Sequence, residues 1–384
     1  MKTTSFAAIG LVCWLSVTGC NKESTAGNAT GDIVIGEFAS MTGDTATFGI
    51  SSNEGIQLAL DEINAKGGAL GRKFVVKLED DQSKADEART AAEKLINRDK
   101  VVALLGEISS SKSIAAAPAA QSAKVPMLSP GSTNPKVTEM GDYVFRACFI
   151  DPFQGAAMAR FAMDDLKLKK FAFLYAVNSD YSTGLRDYVK ATLQKRGAQI
   201  VAEQSYTESK DVDFKAQLTA IKNANPDAIF ATGYYTEAGL IAQQARELGI
   251  TCPLIGGDGW DSDQTIKIGK KAVEGCYFAN HYSPDEKRPE VQAFVKAYKA
   301  KFKNKVPDAM AILGYDAMKL MADAITRAGS TEGSKIRDAL AATKGFPGAA
   351  GSITIDAKRN ASKPIVIVKI ENGEFKFQSS IQPE

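Results

Sequence analysis

Apolar and polar positions alternate along the chain in a way that predicts short buried strands, each followed by an amphipathic helix. In the first half we predict strands over residues 33–38, 74–78, 101–105 and 125–128, and helices over residues 49–66, 85–97 and 111–123. The helix at 49–66 shows the pattern well, because Ile56, Leu60 and Ile63 fall on one face. The run 101–105 is apolar throughout, as expected of a strand that is buried on both faces of a parallel sheet.

The same alternation starts again after residue 151. Strands are predicted over residues 171–175, 200–206, 228–232 and 254–256, with helices over residues 183–195, 214–224 and 237–248. Three more helices follow at 291–302, 310–327 and 334–342, and strand-like runs end the chain at 352–355, 364–370 and 374–377. Two serial blocks of this kind predict an α/β fold with two doubly wound parallel sheets, one in each of two lobes.

The N-terminus carries the pattern of an exported lipoprotein. After Lys2 comes an apolar run at 6–15, which has the size of a signal-peptide core and is too short to cross a bilayer. Small residues then precede Cys20, as cleavage by a bacterial lipoprotein peptidase requires. We therefore predict a signal peptide over residues 1–19, lipid attachment at Cys20, and a flexible tether over residues 20–31. An ordinary secretory signal with a chance cysteine is the alternative.

This leader predicts a location in the periplasm or, through the lipid, on the outer face of the cell membrane, where ATP and NAD are not available. Many enzyme classes are thereby excluded, and we expect neither a cofactor nor a metal. Lysine and arginine total 47 against 45 acidic residues, a formal charge of +2, which argues against nucleic acid as a partner. A chain of 384 residues is also too long for one ordinary core, in agreement with two lobes.

Histidine and cysteine are scarce, and this limits the chemistry that is available. The single histidine, His281, rules out a two-histidine zinc site, and its neighbours are typical of a surface position or of a connection between elements. Cys148, Cys252 and Cys276 remain once Cys20 carries lipid. A disulfide between Cys252 and Cys276 is permitted in an oxidising compartment, and buried free thiols are the alternative.

Serines open the helix that follows the strand at 101–105. Ser109, Ser110 and Ser111 lie at a helix N-terminus, where unpaired N–H groups and the helix dipole favour an anion such as a carboxylate. A P-loop would need glycine at position 111, so nucleotide binding is disfavoured. The next strand leads into a loop with two prolines and a glycine that displays Thr133. Simple capping and an ordinary turn are the alternatives at these two places.

Loops of the second block add aromatic and acidic side chains. Tyr181, Tyr234 and Asp258 each lie shortly after a predicted strand, where open α/β sheets bind ligands. Glycines around Asp258 let the backbone approach a ligand and leave the carboxylate exposed. An anion site from one block, with an acid and aromatic residues from the other, would suit a zwitterion that has an apolar side chain. Taken singly, packing of the tyrosines and capping by Asp258 are the simpler interpretations.

Several segments, taken together, are characteristic of one protein family. They are MTGD through FG at 41–49, DEINAKGG at 61–68, SSS at 109–111, SPGST at 129–133, FR with the acid at 145–151, YSTG at 181–184 and GGDG at 256–259. With them, the chain from about residue 32 to its end resembles the periplasmic branched-chain amino-acid-binding proteins of ABC transporters.

This resemblance implies the type I periplasmic binding protein fold, in which a hinge of three crossings joins two lobes. We place the crossings near residues 149–152, 279–282 and 351–356. Lobe 1 would then comprise residues 32–150 and 282–351, and lobe 2 would comprise residues 151–281 and 352–384.

The resemblance also implies roles for particular side chains. The ligand carboxylate would be held by Ser110 and Thr133 with the backbone of Gly131. The α-ammonium would be met by the Thr133 hydroxyl, the backbone carbonyl of Gly131 and Asp258. The complete expected ligand-binding set, including residues that wall the pocket or close over it, is Phe48, Ser109, Ser110, Gly131, Ser132, Thr133, Tyr181, Tyr234 and Asp258.

Three residues depart from the family pattern. Asp258 is one methylene shorter than the glutamate of the best-known members, and Ser109 stands where a cysteine can occur. Glu107 adds an acid near the expected cleft mouth, where it would favour a basic or amide group or would face water. These departures bear on the identity of the ligand more than on its class.

The expected function is that of a lipid-anchored, monomeric solute-binding protein that captures an aliphatic L-amino acid and delivers it to an ABC permease. No covalent chemistry is required. One alternative is a sensor of the same fold for another amino acid, an amide or a small carboxylate. A second is a hydrolase that uses a serine of the 109–113 segment with Lys112, a disfavoured reading because the helix start already explains those serines.

Overall fold

Two sheets with parallel strands organise the computed structural model of this chain. It describes residues 1–5 and 31–382, so the predicted apolar run of the signal peptide, Cys20 and most of the tether lie outside the described residues. The elements below belong to a compact unit that begins at Asp32.

The strands follow the predicted alternation closely. They are β1 (Ile33–Ala39), β2 (Phe74–Asp80), β3 (Ala103–Leu105), β4 (Met127–Ser129), β5 (Val144–Arg146), β6 (Lys170–Ala176), β7 (Gln199–Tyr206), β8 (Ala228–Ala231), β9 (Leu254–Gly256), β10 (Tyr277–Asn280), β11 (Phe346–Gly348), β12 (Gly351–Ile355), β13 (Ala361–Ser362), β14 (Ile365–Glu371) and β15 (Glu374–Ile381).

The α-helices lie between these strands, with three of them late in the chain. They are α1 (Ala46–Ala65), α2 (Ala85–Asn97), α3 (Ser110–Ala123), α4 (Lys136–Glu139), α5 (Asp151–Arg160), α6 (Asp180–Lys195), α7 (Lys215–Ala224), α8 (Tyr235–Glu247), α9 (Asp263–Gly269), α10 (Pro289–Lys301), α11 (Ala309–Ala328) and α12 (Gly333–Ala341).

The first sheet is parallel throughout and has the strand order β2-β1-β3-β4-β5. Its register places Ile35 of β1 beside Val76 of β2 and Ala103 of β3. Strand β2 lies on one side of β1, and β3 lies on its other side. The strand order therefore reverses between β1 and β3. Such a switch point leaves a crevice at the carboxyl ends of the strands, where open α/β sheets bind ligands.

The second sheet has the order β15-β14-β10-β9-β8-β6-β7. The five strands from β10 to β7 run parallel, whereas β14 and β15 add an antiparallel edge. The α/β fold with two doubly wound parallel sheets is therefore confirmed, with this antiparallel ribbon as an addition. Here the strand order reverses between β6 and β8, so the second sheet has its own switch point.

The late helices pack against the first sheet. Apolar side chains of α10, α11 and α12, among them Phe294, Met318 and Ile336, share one buried cluster with Ile33 and Ile35 of β1. Burial of these side chains is the main stabilising contribution of the cluster, at about 1.5–3 kcal/mol for each large apolar side chain. The first sheet thus recruits helices that are more than 150 positions away along the chain.

Helices α1 and α11 cross with their backbones almost in contact. A Cβ atom added at Gly55 would lie 1.8 Å from the carbonyl oxygen of Ala311, and one added at Gly314 would lie 2.3 Å from the carbonyl oxygen of Ser52. No side chain can be accommodated at such distances unless a backbone moves. The crossing therefore depends on glycine at both positions.

The segment from β11 to β13 extends across residue 352, where we expected the boundary between the two lobes. β12 pairs with β11 and β13 in a small separate sheet, and Ile353, Ile355 and Ala361 belong to the same buried cluster as β1. The segment Gly351–Ser362 therefore packs with the first sheet, because β12 is paired to the chain that follows α12. Only β14 and β15 of the C-terminal region join the second sheet.

Sequence periodicity missed seven short elements, namely β5, β10, β11, β13, α4, α5 and α9. β5 has three residues and contains Arg146, a residue type that is atypical of a buried strand. The Arg146 guanidinium is nevertheless buried, since it donates hydrogen bonds to the carbonyl oxygens of Ser132 at 2.5 Å and Asn134 at 2.7 Å. Arg146 thus stabilises the loop that displays Thr133. No helix within the described residues is long and apolar enough to cross a membrane.

Candidate ligand-binding site

A small cavity lies between loops at the carboxyl ends of the two sheets. It has about 190 Å³ of space, part of which opens to solvent, and is lined by Phe48, Ile108, Gly131, Thr133, Tyr181, Tyr234, Asp258, Gly259 and Met310. Six of the nine expected binding residues are among these. Of the other three, Ser109 and Ser132 adjoin lining residues along the chain, and Ser110 follows Ser109.

One half of the cavity is built where β3 leads into α3. Ser109 is the N-cap of α3 but makes no capping hydrogen bond with its side chain, and its Oγ instead accepts from Lys112 Nζ at 2.9 Å. Ser110 Oγ accepts from the Asn134 N–H at 3.2 Å. The buried Thr133 hydroxyl has no hydrogen bond of good geometry within the described residues, and so offers a donor to a ligand oxygen. Together with the α3 N-terminus, Thr133 makes this half suitable for a carboxylate.

The Ser132 side chain has a different task from the one expected. Its Oγ lies 2.8 Å from the carbonyl oxygen of Glu107 and 2.8 Å from Ser113 Oγ. The Ser129 hydroxyl donates to the same Glu107 carbonyl at 2.7 Å. These contacts join the loop after β4 to the loop after β3, so Ser132 shapes the site from behind the lining.

Asp258 forms the opposite wall of the cavity. It opens a short 3-10 turn, Asp258–Trp260, directly after β9. Its Oδ1 accepts hydrogen bonds from Gln154 Nε2 at 3.0 Å and from the Tyr181 hydroxyl at 2.8 Å. Its Oδ2 lies 3.0 Å from His281 Nε2. Three side chains thus hold the carboxylate at the cavity, where it can meet a cationic group.

Aromatic rings cover the space between the two walls. Tyr181 and Tyr234 stack with their ring centroids 5.1 Å apart and an interplanar angle of 4°. Phe48 meets Tyr234 edge to face at 5.6 Å. Ile108 and Met310 complete the apolar lining. The cavity therefore combines two polar ends with an apolar middle.

His281 lies in the connection between β10 and α10, one of the two predicted settings, but it is buried, so the surface alternative is wrong. The side chain is buried, and the ring stacks on Phe149 with centroids 3.9 Å apart. The reason is β10, which sequence periodicity missed: this strand lies between β9 and β14 in the middle of the second sheet. The residue after it therefore enters the interior beside Asp258. No local pattern in the sequence marks this position as buried.

Glu107 is also buried and does not face water or a ligand at a cleft mouth. One of its carboxylate oxygens accepts from the Ser40 N–H at 3.0 Å and from the Ser40 hydroxyl at 2.8 Å, and the other accepts from the Ser109 N–H. The carboxylate ties the loop after β1 to the loop after β3 at the switch point of the first sheet. Glu107 thus acts on the site by fixing these two loops.

The charge of the cavity depends on a second buried acid, Asp151. Burial raises the pKa of Asp151 to about 8, the nearby Asp258 charge adds to the rise, and the Thr133 hydroxyl and the Arg146 charge oppose it. Asp151 is therefore mostly protonated and neutral at pH 7. Asp258 then supplies the acidic charge of the cavity wall.

Direct hydrogen bonds join the two sides of the cavity. The Ser111 hydroxyl and Asp180 Oδ2 are 2.9 Å apart, and Asn134 Nδ2 donates to the carbonyl oxygen of Asp180 at 2.6 Å. The Tyr235 hydroxyl donates to the carbonyl oxygen of Asp44 at 2.7 Å. These contacts show the two sides in a closed arrangement around the cavity.

A larger groove, with about 1600 Å³ of space that opens to solvent, passes Asp261 and Asp308. Neither Asp258 nor Thr133 lines it. Since the groove lacks the opposed polar ends found in the smaller cavity, we place the candidate site in the smaller one. Among the described residues, no group of three or more His, Cys, Asp or Glu side chains is arranged to hold a metal.

Two buried carboxyl groups meet at the N-terminus of α11. Asp308 is the N-cap, and its carboxylate accepts from the Ala311 N–H at 3.0 Å and from the Ser51 hydroxyl at 2.6 Å. Asp261 accepts from the Ala309 N–H at 2.6 Å. Burial, followed by the Asp308 charge, raises the pKa of Asp261 to about 7. The two groups therefore oppose each other when both are ionised.

Replacing Asp261 with asparagine is expected to stabilise the fold, and to do so more at pH 8 than at pH 5. A carboxyl with a raised pKa stabilises the fold fully below its unfolded pKa of 3.8, and this stability is lost as the pH rises through about 7. Asparagine keeps an acceptor for the Ala309 N–H and cannot ionise. We expect a gain of about 1–2 kcal/mol in unfolding free energy at pH 8, measured by urea unfolding. Asp263→Asn, at an exposed neighbour, is the control, and an equal gain at both pH values would contradict the argument.

Three cysteines fall within the described residues, and all are free thiols. Cys148 and Cys276 are buried, and Cys252 is partly buried. Cys252 and Cys276 both lie near Arg246, which donates to the carbonyl oxygen of Cys252 at 2.9 Å and lies 3.7 Å from Cys276 Sγ. The alternative of free thiols therefore describes this structure.

Several residues of the site escaped the sequence analysis. Gly259 belongs to the GGDG segment and Ile108 directly precedes the SSS segment, so their position along the chain was a usable signal. Met310 comes from the first turn of α11, and Gln154 from the unpredicted α5. Nothing local marks Met310 or Gln154, since only the tertiary fold brings these helices to the cavity.

Comparison with known proteins gives consistent matches. A family model described as periplasmic binding protein matches residues 32–374. The Leu/Ile/Val-binding protein BraC3 of Rhizobium johnstonii is 34% identical over 328 residues, which cover 85% of this chain and 88% of BraC3.

Solved structures agree with these sequence matches. The leucine-binding protein LivK of Thermotoga maritima superposes with a TM-score of 0.87 at 42% identity, covering 91% of this chain and 99% of LivK. The substrate-binding protein LivJ of Streptococcus pneumoniae, solved in complex with isoleucine, gives 0.87 at 34% identity, covering 92% and 100%. A solute-binding protein of Rhodopseudomonas palustris, in complex with 3,4-dihydroxybenzoic acid, gives 0.81 at 28% identity, covering 91% and 97%.

Proposed function

The chain belongs to the periplasmic binding protein family, and from this premise we propose that it binds a branched-chain L-amino acid in the cavity between its two sheets. The fold is that of type I periplasmic binding proteins such as LivK and LivJ, and the family consists of binding proteins, not enzymes. The observation that carries the proposal is that Thr133, which follows the first sheet's β4, and Asp258, which follows the second sheet's β9, line the same small cavity. The relatives named for leucine, isoleucine and valine support it.

Each part of such a ligand has a counterpart in the cavity. The α-carboxylate would meet the Thr133 hydroxyl and the N-terminus of α3, which favours an anion through its N–H groups and dipole. The α-ammonium would meet Asp258 in a charge-assisted hydrogen bond, which is stronger than a neutral one. Phe48, Ile108 and Met310 would cover the aliphatic side chain, which gains about 0.8 kcal/mol for each buried CH₂ group.

Small aromatic carboxylates are the main competing ligand class, since the Rhodopseudomonas relative was solved with one. A benzoate has no ammonium group to meet Asp258, which would then be a buried carboxylate beside an anionic ligand. The geometry therefore supports the amino acid over the aromatic acid.

A ligand screen tests this function directly. Protein freed of bound ligand by unfolding and refolding would be titrated with leucine, isoleucine, valine and the 2-oxo analogue of leucine. We expect the melting temperature to rise by several degrees with at least one amino acid and hardly at all with the oxo analogue, because binding to the native state alone stabilises it. A rise with benzoates or oxo acids only would refute the amino-acid assignment.

We further propose that two lobes close over the ligand and present it to an ABC permease. Lobe 1 would comprise residues 32–150 and 282–351, extended through β13 by the packing described above. Lobe 2 would comprise residues 151–281 together with the C-terminal strands β14 and β15. The hydrogen bonds between Ser111 and Asp180 support closure of this kind. Ligand bridging would favour the closed state by its higher affinity for that state.

The proposed anchor is a lipid on Cys20, which would hold a monomeric protein at the membrane through the tether over residues 20–31. The order of apolar run, small residues and cysteine supports it. Mass spectrometry of the mature N-terminus in the native host tests it. A diacylglyceryl group on Cys20 would support the anchor, and an unmodified N-terminus at another residue would refute it.

A further inference from the structure

We propose that His281 is a positioning residue for ligand capture, which donates a hydrogen bond to Asp258 and holds that carboxylate ready for the ligand's ammonium group. The inference rests on the proposed function, because it concerns the partner of the ammonium. It assigns a task to the one histidine of the chain, which otherwise would be an unexplained polar group in the core.

The geometry gives the imidazole a single polar contact on the side of the cavity. His281 Nε2 lies 3.0 Å from Asp258 Oδ2, whereas Oδ1 of the same carboxylate is held by Tyr181 and Gln154. The ring is fixed from the other side by stacking on Phe149, at 3.9 Å and 20°. Asp258 is thus held from three directions, and His281 controls the oxygen that neither Tyr181 nor Gln154 reaches.

The tautomer follows from the same contacts. A carboxylate oxygen can only accept, so Nε2 must carry the proton that is shared with Asp258. His281 Nδ1 is buried and has no hydrogen-bond partner within the described residues. In the neutral ring Nδ1 is an acceptor, whereas in the protonated ring it would be a buried donor without a partner, which is costly. The position therefore favours the neutral imidazole.

Burial and the charged groups around the ring together lower the pKa of His281, although they do not all act in the same direction. Burial lowers the pKa of His281, the Asp258 carboxylate opposes this, and the Lys363 charge adds to the lowering. Lys363 itself is paired with Asp316 at 3.5 Å. From α5 the side chains that face Asp258 are Asp151, which is mostly neutral at pH 7, and Gln154.

The neighbouring thiol changes nothing in this charge balance. Burial raises the pKa of Cys148 to about 12, so this side chain carries no charge near neutral pH. With His281 neutral as well, the Asp258 carboxylate keeps its full attraction for an incoming cation.

Protonation of the ring would reverse this advantage. An imidazolium at Nε2 would form an ion pair with Asp258 and compete with the ligand's ammonium for the same carboxylate. Because the pKa of His281 is lowered, this competition begins only at a pH below the usual range of histidine. We therefore expect protonation of His281 to lower amino-acid affinity as the pH drops through that lowered pKa.

Two substitutions separate positioning from structure. In His281→Gln the side-chain amide can still donate to Asp258 but cannot be protonated, and in His281→Leu the donor is lost. We expect His281→Gln to bind leucine within about threefold of the wild type at pH 7.5, and His281→Leu to bind about tenfold or more weakly. Isothermal titration with leucine measures both, and thermal unfolding of each ligand-free variant shows whether it is folded.

The pH profile is the readout that a merely structural residue would not change. Between pH 7.5 and 5 the wild type should lose affinity, and His281→Gln should lose less. Asp151 and Asp261 titrate in both proteins, so the difference between the two profiles isolates His281. Identical profiles, or wild-type affinity in a folded His281→Leu protein, would overturn the inference. If the wild type itself binds no amino acid, the proposed function fails first and the inference fails with it.

Discussion

Asp258→Ala is expected to weaken leucine binding by about 3–5 kcal/mol, which corresponds to more than a hundredfold in the dissociation constant. The substitution would leave the ligand's ammonium buried in the closed cavity without a charged partner. It would also leave the Tyr181 hydroxyl, Gln154 and His281 without their shared acceptor. Isothermal titration of the ligand-stripped variant measures the effect.

Asp263→Ala is the matched control for this prediction. Asp263 lies five positions away at the start of α9, with an exposed carboxylate that pairs with Lys267 on the surface. It carries the same charge but does not line the cavity, so leucine affinity should change little. If both variants bind leucine as the wild type does, Asp258 is not the partner of the ammonium.

Gly55→Val is expected to lower the free energy of unfolding by about 3 kcal/mol or more, the upper range for overpacking. A Cβ at this position would lie 1.8 Å from the carbonyl oxygen of Ala311, so α1 and α11 would have to separate. The separation would loosen the cluster that joins the late helices to the first sheet. Urea unfolding followed by circular dichroism measures the loss.

Ala65→Val on the same helix controls for the mere presence of a β-branched side chain in α1. Ala65 is the last residue of α1 and is exposed. A surface change of this kind usually shifts stability by no more than about 0.5 kcal/mol. Equal losses in the two variants would mean that a β-branched side chain in α1, and not the close approach of α1 and α11, explains the effect of Gly55→Val.

Local periodicity predicted the architecture because most elements are long enough to repeat their pattern. Helix α2 was predicted with its observed ends, and β1 within a residue of its own. Short elements defeat this reasoning, since β5 and β10 offer three and four residues, too few for a period to show. The pairing of β12 with β11 could not be foreseen either, because it depends on where α12 ends in space.

The same distinction between local pattern and tertiary packing applies to the residues of the candidate site. Residues in strand-end loops, such as Thr133 and Asp258, could be predicted because parallel sheets place those loops at one edge. Met310 and His281 could not, because they reach the cavity through the packing of α11 and β10 with distant parts of the chain. Burial of a polar side chain is set by such packing, and the residue's neighbours in sequence do not reveal it.

The close approach of Lys112 to Ser109 shows how such a contact can be misread. The two side chains are 2.9 Å apart, as a serine hydrolase with a lysine base would require. Lys112 Nζ also donates to Thr45 Oγ1 at 3.0 Å, so it serves as a donor that links the loops after β1 and β3. In this family of binding proteins the pair stabilises the site and has no need to act as a nucleophile and base.

The hydroxyls that gather on the Glu107 carbonyl have a kinetic consequence. Ser129 and Ser132 order the loop of the first sheet through contacts within the protein, and Tyr181 and Gln154 do the same for Asp258. Ligand capture then needs little further ordering of side chains, each of which would cost about 0.5–1.5 kcal/mol. The rate of association should depend on diffusion and on how quickly the sides close, and should be similar for related amino acids. Discrimination among them should appear in how long each stays bound.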